Sequence, residues 1–394
     1  MPQIVHHGGM EEESFEAFAA QLDRYVRDRL IPAEPRLIEA NRVPEDILEE
    51  MRGLGLFGIT IPAEHGGAGM NISQYVETIR RLSYAHPAYR SIISISVGMV
   101  SSAIRKSGTA EQQARYLPEI AAGMITSFGL TEPGSGSDSA ALQTKAVRRG
   151  DGWRLNGTKR YITNAPFARL ALIMARTNPE PLPGNAHVSA FLVPMETPGV
   201  TVGSPDRKMG QAGAQIADII LEDVDVPAES LLGGVEGQGF RAAMQSLDNG
   251  RLSVAAGAAG YARRILDTAM RYATERKAFG EPISSFQLIQ AMLADSAADI
   301  YAAECMIADA CRLADKGDRR ITIEAASTKM FASEMCGRVA DRCVQIHGGA
   351  GYLSEYEAER FYRDTRLYRI YEGTTQILQL VIAKAMLRSI AGEA

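Results

Sequence analysis

The sequence has few of the features that mark disulfide-rich or membrane-spanning proteins. It has only four cysteines in 394 residues, Cys305, Cys311, Cys336 and Cys343, which lack C-x-x-C spacing and fall on segments with helical periodicity. We therefore expect buried, reduced thiols and no metal site. The longest uncharged stretch, residues 91–104, is too short and too rich in serine and glycine to span a bilayer as a helix. It predicts a buried core helix, and we expect no membrane insertion.

The net charge and the N-terminal segment bear on the expected partners and cellular location of the protein. The formal net charge is −5, and no Lys/Arg run is long enough to follow a phosphate backbone, so nucleic acid is not an expected partner. The segment "MPQIVHHGGMEEESFEAF" is acid-rich and has no apolar core, which is not typical of a secretory signal or a transit peptide. We expect a cytoplasmic protein, and a chain of this length that is 46% hydrophobic can form two or three packed units.

Hydrophobic periodicity divides the chain into a helical, a β and a second helical segment. Residues 1–125 predict about five helices, one of them beginning with a capping box formed by Asn71 and Gln74. Residues 126–238 consist of short β-branched runs separated by Gly, Pro and Asn, and predict a small antiparallel barrel or sandwich. Asn156-Gly157, between two such runs, predicts a hairpin turn. Residues 239–394 predict four long helices in an antiparallel bundle. The expected fold class is therefore α+β, mainly α, with three domains at these boundaries.

Two short stretches are candidates for chemistry. The Gly-rich stretch "GLTEPGSGSD", residues 129–138, lets the backbone approach a flat or anionic ligand closely, although it can equally be a polar turn. It lacks the context of a Rossmann or P-loop site. Near the other end, "YRIYEGTTQIL" has Glu372 directly before an apolar run. This glutamate is either an acid that favours a helix start, worth about 0.3–1 kcal/mol, or a catalytic base.

Five motifs in fixed order extend over nearly the whole chain: "GLTEPGSGSD", "NGTKRYITNA", "YATERKAFGEPISSFQLIQAMLAD", "QIHGGAGYL" and "YRIYEGTTQIL". Together they resemble the acyl-CoA dehydrogenase family of flavoproteins. The resemblance implies an N-terminal helical domain, a central β domain and a C-terminal four-helix bundle. It also implies FAD as cofactor, an acyl-CoA thioester as substrate, an electron-transferring flavoprotein as electron acceptor, and a homotetramer built as a dimer of dimers.

The resemblance also implies which residues bind FAD. The first flavin motif corresponds to Phe128–Ser137, with Leu130 and Thr131 near the pyrimidine side of the ring. In the second motif, Thr163 corresponds to the position near flavin N5, and Tyr161 replaces a tryptophan found in many members. A third group would hold the adenosine and pyrophosphate of a neighbouring subunit's FAD. The full implied set is Phe128, Leu130, Thr131, Gly136, Ser137, Tyr161, Ile162, Thr163, Arg276, Phe279, Gln287, Gln345, Gly348, Gly349, Thr374 and Gln376.

In this family the residue that corresponds to Glu372 removes the α-proton of the thioester. Some members instead carry the base immediately before the arginine of a D-x-x-R motif, which here reads "LDNGR" with Gly250 in that slot. Glu372 is therefore the predicted catalytic residue. Asp248 and Arg251 correspond to substrate-contacting positions near the pantetheine, although they can also be a capping ion pair. Ser137, Tyr371 and Gly373 complete the substrate contacts that the resemblance implies.

The stretch "YRSIISISVG" bears on the acyl chain. Arg90 and Ser94 lie one turn apart on an otherwise uncharged helix, and a buried arginine needs an anionic partner. The pattern is similar to that of glutaryl-CoA dehydrogenase, in which an arginine and serines, here Arg90, Ser91 and Ser94, hold the far carboxylate of the substrate. The chain departs from that subfamily at Ser83, where a glutamate is usual. A glutaryl-like substrate, an ordinary short or branched acyl-CoA, and an Arg90 that extends to solvent all stay open.

Other activities are compatible with the same scaffold. A flavin oxidase or a desulfinase would use the same motifs, whereas Glu372 argues against the nitroalkane-oxidising branch, which uses aspartate. A non-catalytic protein that binds CoA esters is a third alternative. The flavin of such a protein would not be reduced by any thioester.

Overall fold

The computed structural model describes residues 9–317 and 320–390, and it begins with a helical region. The helices of this region are α1 (Glu12–Tyr25), α2 (Ile31–Ala40), α3 (Glu45–Gly53), α4 (Ile72–Leu82), α5 (Pro87–Ser94), α6 (Ser101–Ser107) and α7 (Ala110–Ala121). One π-helical turn joins α1 to α2 and another joins α5 to α6. Within the described residues, these seven segments therefore form five continuous rods, in agreement with the periodicity.

Local sequence signals position two of these rods. The capping box at the start of α4 is present: Gln74 N donates to Asn71 Oδ1 at 2.9 Å, and Asn71 N donates to Gln74 Oε1 at 3.3 Å. Every residue of α5 is buried, and the π-helical turn Ile95–Val100 that follows is buried at all but one position. The prediction of a buried core helix at residues 91–104 is confirmed.

The central region is a curled seven-stranded sheet. Its strands are β1 (Thr126–Gly129), β2 (Lys145–Arg149), β3 (Gly152–Thr163), β4 (Leu170–Arg176), β5 (Val188–Pro194), β6 (Val200–Val202) and β7 (Ile216–Val226). The order is β1-β4-β2-β3-β7-β6, and β5 pairs with β4. The pairing is antiparallel as predicted for most neighbours, but β1 lies parallel to β4, and a single pair links β2 to β4 in parallel.

The predicted hairpin at Asn156-Gly157 is wrong. Both residues lie inside β3, and the β2–β3 turn falls instead at Gly150 and Asp151. The pairing of β3 with β7 shifts register between Leu155 and Gly157, which marks a β-bulge. The Asn156 side chain is satisfied across the strands, because it donates to Asp223 Oδ1 at 3.1 Å and accepts from Asp223 N at 2.8 Å.

The C-terminal region contains the four predicted long helices, with shorter elements between them. Its elements are α8 (Gly239–Glu275), β8 (Lys277–Ala278), β9 (Glu281–Pro282), α9 (Gln287–Lys316), α10 (Thr322–His347), α11 (Glu357–Thr365) and α12 (Thr375–Ile390). The thiols of Cys311, Cys336 and Cys343 are free and buried as predicted, but Cys305 is exposed on α9. The prediction for Cys305 is wrong because periodicity does not distinguish an apolar position that faces outward from one in the core.

A buried polar network joins the three regions. Arg264 of α8 pairs with Glu34 of α2 and with Glu357, the latter at 2.5 Å. Asp364 of α11 accepts from the backbone N–H of Gln211, in the segment before β7, and from Tyr261 Oη at 2.9 Å. Buried charges are stabilising only when they are paired and hydrogen-bonded, so these contacts fix how the regions meet around the site.

Candidate active site

The turn between α11 and α12 contains two consecutive residues in the left-handed region. Glu372 has φ of +52° and Gly373 has φ of +96°. A glutamate in this region carries a strain of about 1–3 kcal/mol and persists only where its surroundings impose it. Within the described residues, the N–H groups of Ile370 and Tyr371 both donate to Leu367 O, while the N–H of Glu372 has no acceptor. The turn thus leaves the amide of Glu372 without an acceptor in this part of the chain.

The Glu372 carboxylate points at helix α8. Although the residue is partly exposed, its Oε2 is buried and has no hydrogen-bond partner. A Cβ added to Gly250 of α8 would lie 2.1 Å from this oxygen, so no side chain fits there while the carboxylate keeps its position. Buried carboxylate oxygens are normally hydrogen-bonded, and an exception calls for a functional reason.

Three cations on three helices surround this carboxylate. Burial raises the pKa of Glu372 above its ordinary value, and the charges of Arg90, Lys329 and Arg251 oppose that rise. Arg251 Nη1 also forms an ion pair with Asp248 at 2.7 Å, and Asp248 accepts from Thr322 Oγ1 at 3.1 Å. The fold therefore brings the predicted substrate residues Asp248 and Arg251 beside the predicted base.

Arg90 is buried next to the same carboxylate. Its side chain is one of the largest that are fully buried, and it donates to Tyr371 Oη at 3.0 Å and to Ser253 Oγ at 3.2 Å. Its Nε has no partner, and within the described residues no carboxylate lies at ion-pair distance from it. Ser91 and Ser94 are buried on the same helix, but no hydrogen bond joins either serine to Arg90 in this part of the chain.

The Gly-rich loop lies beside strand β3. Arg160 N donates to Thr131 O at 2.8 Å, and Ser127 Oγ donates to Thr163 O at 2.9 Å. The predicted flavin residues of the two motifs are therefore neighbours. Tyr161 has φ of +58° and is 56% exposed.

The side chains of Leu130 and Ile162 are buried in the core of this region. They can therefore offer a cofactor little more than their backbone groups.

A buried ion pair that was not predicted from the sequence fixes the base of this loop. Lys159 Nζ lies 2.7 Å from Glu132 Oε1, and both residues are buried. Glu132 also accepts from Thr144 Oγ1 at 2.6 Å. Burial lowers the pKa of Lys159 to about 8, and Glu132 opposes this fall. Both residues lie inside the quoted motifs, and their opposite charges were the feature of the sequence that could have indicated an ion pair.

The remaining predicted cofactor residues lie at two places. Thr374 and Gln376 border the start of α12, where Thr374 Oγ1 accepts from Ile377 N at 3.2 Å. The others form an exposed group at the far end of α8: Arg276, Phe279, Gln287, Gln345, Gly348 and Gly349. Gly250 and Arg276 are separated by roughly 40 Å along α8, at about 1.5 Å per residue. The exposed group is therefore remote from Glu372 of the same chain.

These features fit a flavin. The loop and β3 present hydroxyl and backbone groups beside an exposed aromatic ring, and an unpartnered carboxylate oxygen faces Gly250. A helical region, a curled sheet and a four-helix bundle with such a site define a class of flavin-dependent oxidoreductases.

Family models identify the class more closely. The descriptions "Acyl-CoA dehydrogenase, N-terminal domain", "middle domain" and "C-terminal domain" match residues 12–124, 127–224 and 237–387. The chain belongs to the acyl-CoA dehydrogenase family and is an oxidoreductase, and its cofactor is FAD. The predicted fold class and the resemblance are confirmed.

Individual relatives support the same family assignment. The chain is 42% identical to "Probable acyl-CoA dehydrogenase YngJ" of Bacillus subtilis, over 92% of this chain and 95% of the relative. It is also 42% identical to "Caffeyl-CoA reductase-Etf complex subunit CarC" of Acetobacterium woodii, over 89% of this chain and 92% of the relative.

Two solved structures extend the comparison. Butyryl-CoA dehydrogenase from Megasphaera elsdenii has a TM-score of 0.90 and 33% identity, covering 95% of this chain and 98% of that one. A glutaryl-CoA dehydrogenase from Mycobacterium smegmatis in complex with FADH2 has a TM-score of 0.88 and 30% identity, covering 95% of each chain. In residues 9–317 and 320–390, no helix is both long enough and apolar enough to cross a membrane.

Proposed function

We propose that the protein catalyses the α,β-dehydrogenation of an acyl-CoA thioester, with Glu372 as the base that removes the α-proton. The observation that carries this proposal is the buried, unpartnered Oε2 of Glu372 in a strained turn. Its raised pKa matches the carboxylate better to a weakly acidic carbon acid. An acid that only favoured a helix start would have no need of a left-handed backbone or a glycine opposite its carboxylate.

The backbone of the turn would assist the proton transfer. The unpartnered N–H of Glu372 is available to the thioester carbonyl, where it would stabilise the negative charge that develops as the proton leaves. FAD, when bound, supplies the acceptor for the β-hydride at N5. The Gly-rich loop, Tyr161 and Thr163 would hold the ring, and Asp248 and Arg251 would contact the pantetheine.

Anaerobic mixing of the FAD-loaded protein with a panel of acyl-CoAs tests this function. We expect at least one thioester to bleach the flavin, and Glu372→Gln to retain FAD but lose the bleaching. Bleaching that survives Glu372→Gln would mean that the base is wrongly assigned. No bleaching with any thioester would favour a CoA-ester-binding protein, and rapid peroxide formation in air would favour an oxidase.

For the acyl chain, we propose a short thioester whose far end carries an anion that pairs with Arg90. The support is a fully buried guanidinium whose hydrogen-bond partners, Tyr371 and Ser253, are both neutral. A buried charge without a counter-ion is costly, and a carboxylate on the substrate would offset that cost. The unpartnered Nε of Arg90 and the unpartnered, buried Oγ of Ser83 are further groups that such a ligand could satisfy.

The competing explanation is that Arg90 serves only the electrostatics of Glu372, in an enzyme for neutral short acyl chains. The relative rates of flavin bleaching by glutaryl-CoA and butyryl-CoA decide between them. We expect glutaryl-CoA to be faster, and Arg90→Ala to remove that preference. Because loss of Arg90 also changes Glu372, the ratio of the two rates is the informative quantity. An unchanged ratio would contradict the anionic tail.

We also propose that electrons pass to an electron-transferring flavoprotein and that the protein is a homotetramer. The name of the CarC relative, a subunit of a reductase-Etf complex, supports the first. Exposed apolar side chains near the far end of α8, among them Phe279, Leu288 and Tyr352, support the second, because large exposed apolar groups are typical of protein interfaces. Reduction of added electron-transferring flavoprotein and sedimentation of the purified protein test the two.

A further inference from the structure

Helix α10 holds the turn that contains Glu372. Lys329 Nζ donates to Gly373 O at 2.7 Å, the carbonyl that follows the proposed base. Glu334, five residues further along α10, accepts from Thr375 Oγ1 at 2.7 Å and from Arg369 Nη1 at 3.2 Å. These contacts fix the turn on both sides of Glu372, and only that of Lys329 acts directly on the strained segment.

The burial of Lys329 is costly and calls for a reason. The residue is fully buried, and in the described part of the chain no carboxylate lies at ion-pair distance from its ammonium. Burial lowers the pKa of Lys329 to about 8, while the charge of Glu372 opposes that fall. A lysine that served only packing would be replaceable by methionine, which needs no buried charge.

We propose that Lys329 is a positioning residue that holds the Glu372–Gly373 turn in its left-handed conformation and whose charge keeps Glu372 ionised. The proposal rests on the proposed function, because it concerns the residue assigned as the base. The hydrogen bond to Gly373 O aims the Glu372 carboxylate at Gly250. The ammonium charge favours the carboxylate over the carboxylic acid in a buried setting.

The other groups around Glu372 do not duplicate this arrangement. In the part of the chain that the structure describes, Arg90 on α5 and Arg251 on α8 are the remaining cations, and both have other hydrogen-bond partners. Tyr75 on α4 and Tyr371 on the turn are neutral, because burial raises the pKa of each to about 12. Arg90 contacts the turn only through the side chain of Tyr371, whereas Lys329 is bonded to its backbone at Gly373 O.

Two variants of Lys329 separate the hydrogen bond from the charge. Lys329→Gln can still donate to Gly373 O but is neutral, whereas Lys329→Met provides neither the hydrogen bond nor the charge. Lys145→Met, at an exposed position on β2, is the matched control for loss of one lysine. All variants are prepared as FAD-loaded protein.

Two measurements follow the titration of Glu372. Infrared difference spectra, with the carboxyl band assigned by its loss in Glu372→Gln, report it without turnover. The rate of flavin reduction as a function of pH reports it during the reaction. Because loss of a neighbouring cation favours the neutral acid, we expect both midpoints to rise by about one pH unit or more in Lys329→Gln and Lys329→Met. Lys145→Met should leave both unchanged.

The outcomes distinguish this inference from the proposed function. Wild-type midpoints in both Lys329 variants would overturn the electrostatic role. A crystal structure of Lys329→Met in which Glu372 and Gly373 keep their left-handed φ values would overturn the holding role. If Glu372→Gln still reduces the flavin, the proposed function fails whatever the Lys329 variants do.

Discussion

At the scale of single residues, Gly250 determines how closely helix α8 approaches the base. A side chain at this position would meet Glu372 Oε2 at 2.1 Å. We expect Gly250→Ala to displace the carboxylate and to slow flavin reduction by roughly 10²-fold, because a shift of about 1 Å in a catalytic group has effects of this size. Thermal stability should not fall, since alanine is favoured over glycine in a helix by about 1 kcal/mol. Stopped-flow reduction and thermal unfolding of the FAD-loaded protein measure the two effects.

Gly53→Ala is the matched control for this substitution. Gly53 ends α3, has nothing within 4 Å of an added Cβ, and does not have a positive φ. The rate of flavin reduction in the Gly53→Ala protein should equal that of the wild type. A Gly250→Ala protein that also reduced its flavin at the wild-type rate would mean that the carboxylate does not act from the position described.

The same scale explains why some site residues could be predicted and others could not. Glu372, Asp248 and Arg251 lie in motifs whose resemblance implies their roles, and the fold brings them together. The roles of Lys329 and Glu132 were not predicted, because a charged residue in an amphipathic helix or a polar loop is typical of an exposed surface. Only the packed structure shows that both are buried and hydrogen-bonded to the loops that border the site.

At the scale of elements, hydrophobic periodicity predicted the helices correctly, whereas the composition of one dipeptide predicted a turn that does not form. A continuous helical rod such as α5 with its π-helical extension corresponds to a long apolar stretch, which is visible in the sequence. Asn156-Gly157 has the composition of a two-residue hairpin, but the side chain of Asn156 pairs with Asp223 across β3 and β7 and stabilises a bulge instead. Tertiary pairing overrode a local preference, which the sequence of one strand cannot reveal.

The remoteness of α8's two ends cannot be read from the motifs either. The motifs include Arg276 and Glu372 but do not show how far apart these residues lie. Glu372 faces Gly250, and roughly 40 Å of helix α8 separates Gly250 from Arg276. The length of one element therefore decides whether one chain can complete a cofactor site. Because the resemblance assigns Arg276 to FAD, we propose an assembly in which two chains contribute to each site.

At the scale of the whole molecule, we expect each FAD to be held by the catalytic half of one subunit and by the exposed group around Arg276 of its neighbour. Neither Glu372→Gln nor Arg276→Ala should then be active alone: the first has no base, and the second has weakened cofactor binding because the bidentate donor to the pyrophosphate is missing. Co-expression of the two chains with different tags, followed by isolation of mixed oligomers, tests the sharing.

In a mixed pair, one site would combine the Glu372 of the Arg276→Ala chain with the Arg276 of the Glu372→Gln chain, so that both groups are intact. We therefore expect mixed oligomers to recover flavin reduction in about half of their sites. The matched control pairs a double variant, Glu372→Gln with Arg276→Ala, with the wild type. Sharing predicts that every site of this pair lacks one group and is inactive. If each chain instead completed its own site, the control pair would retain activity in its wild-type chain and the mixed pair would have none, so the two arrangements give opposite results.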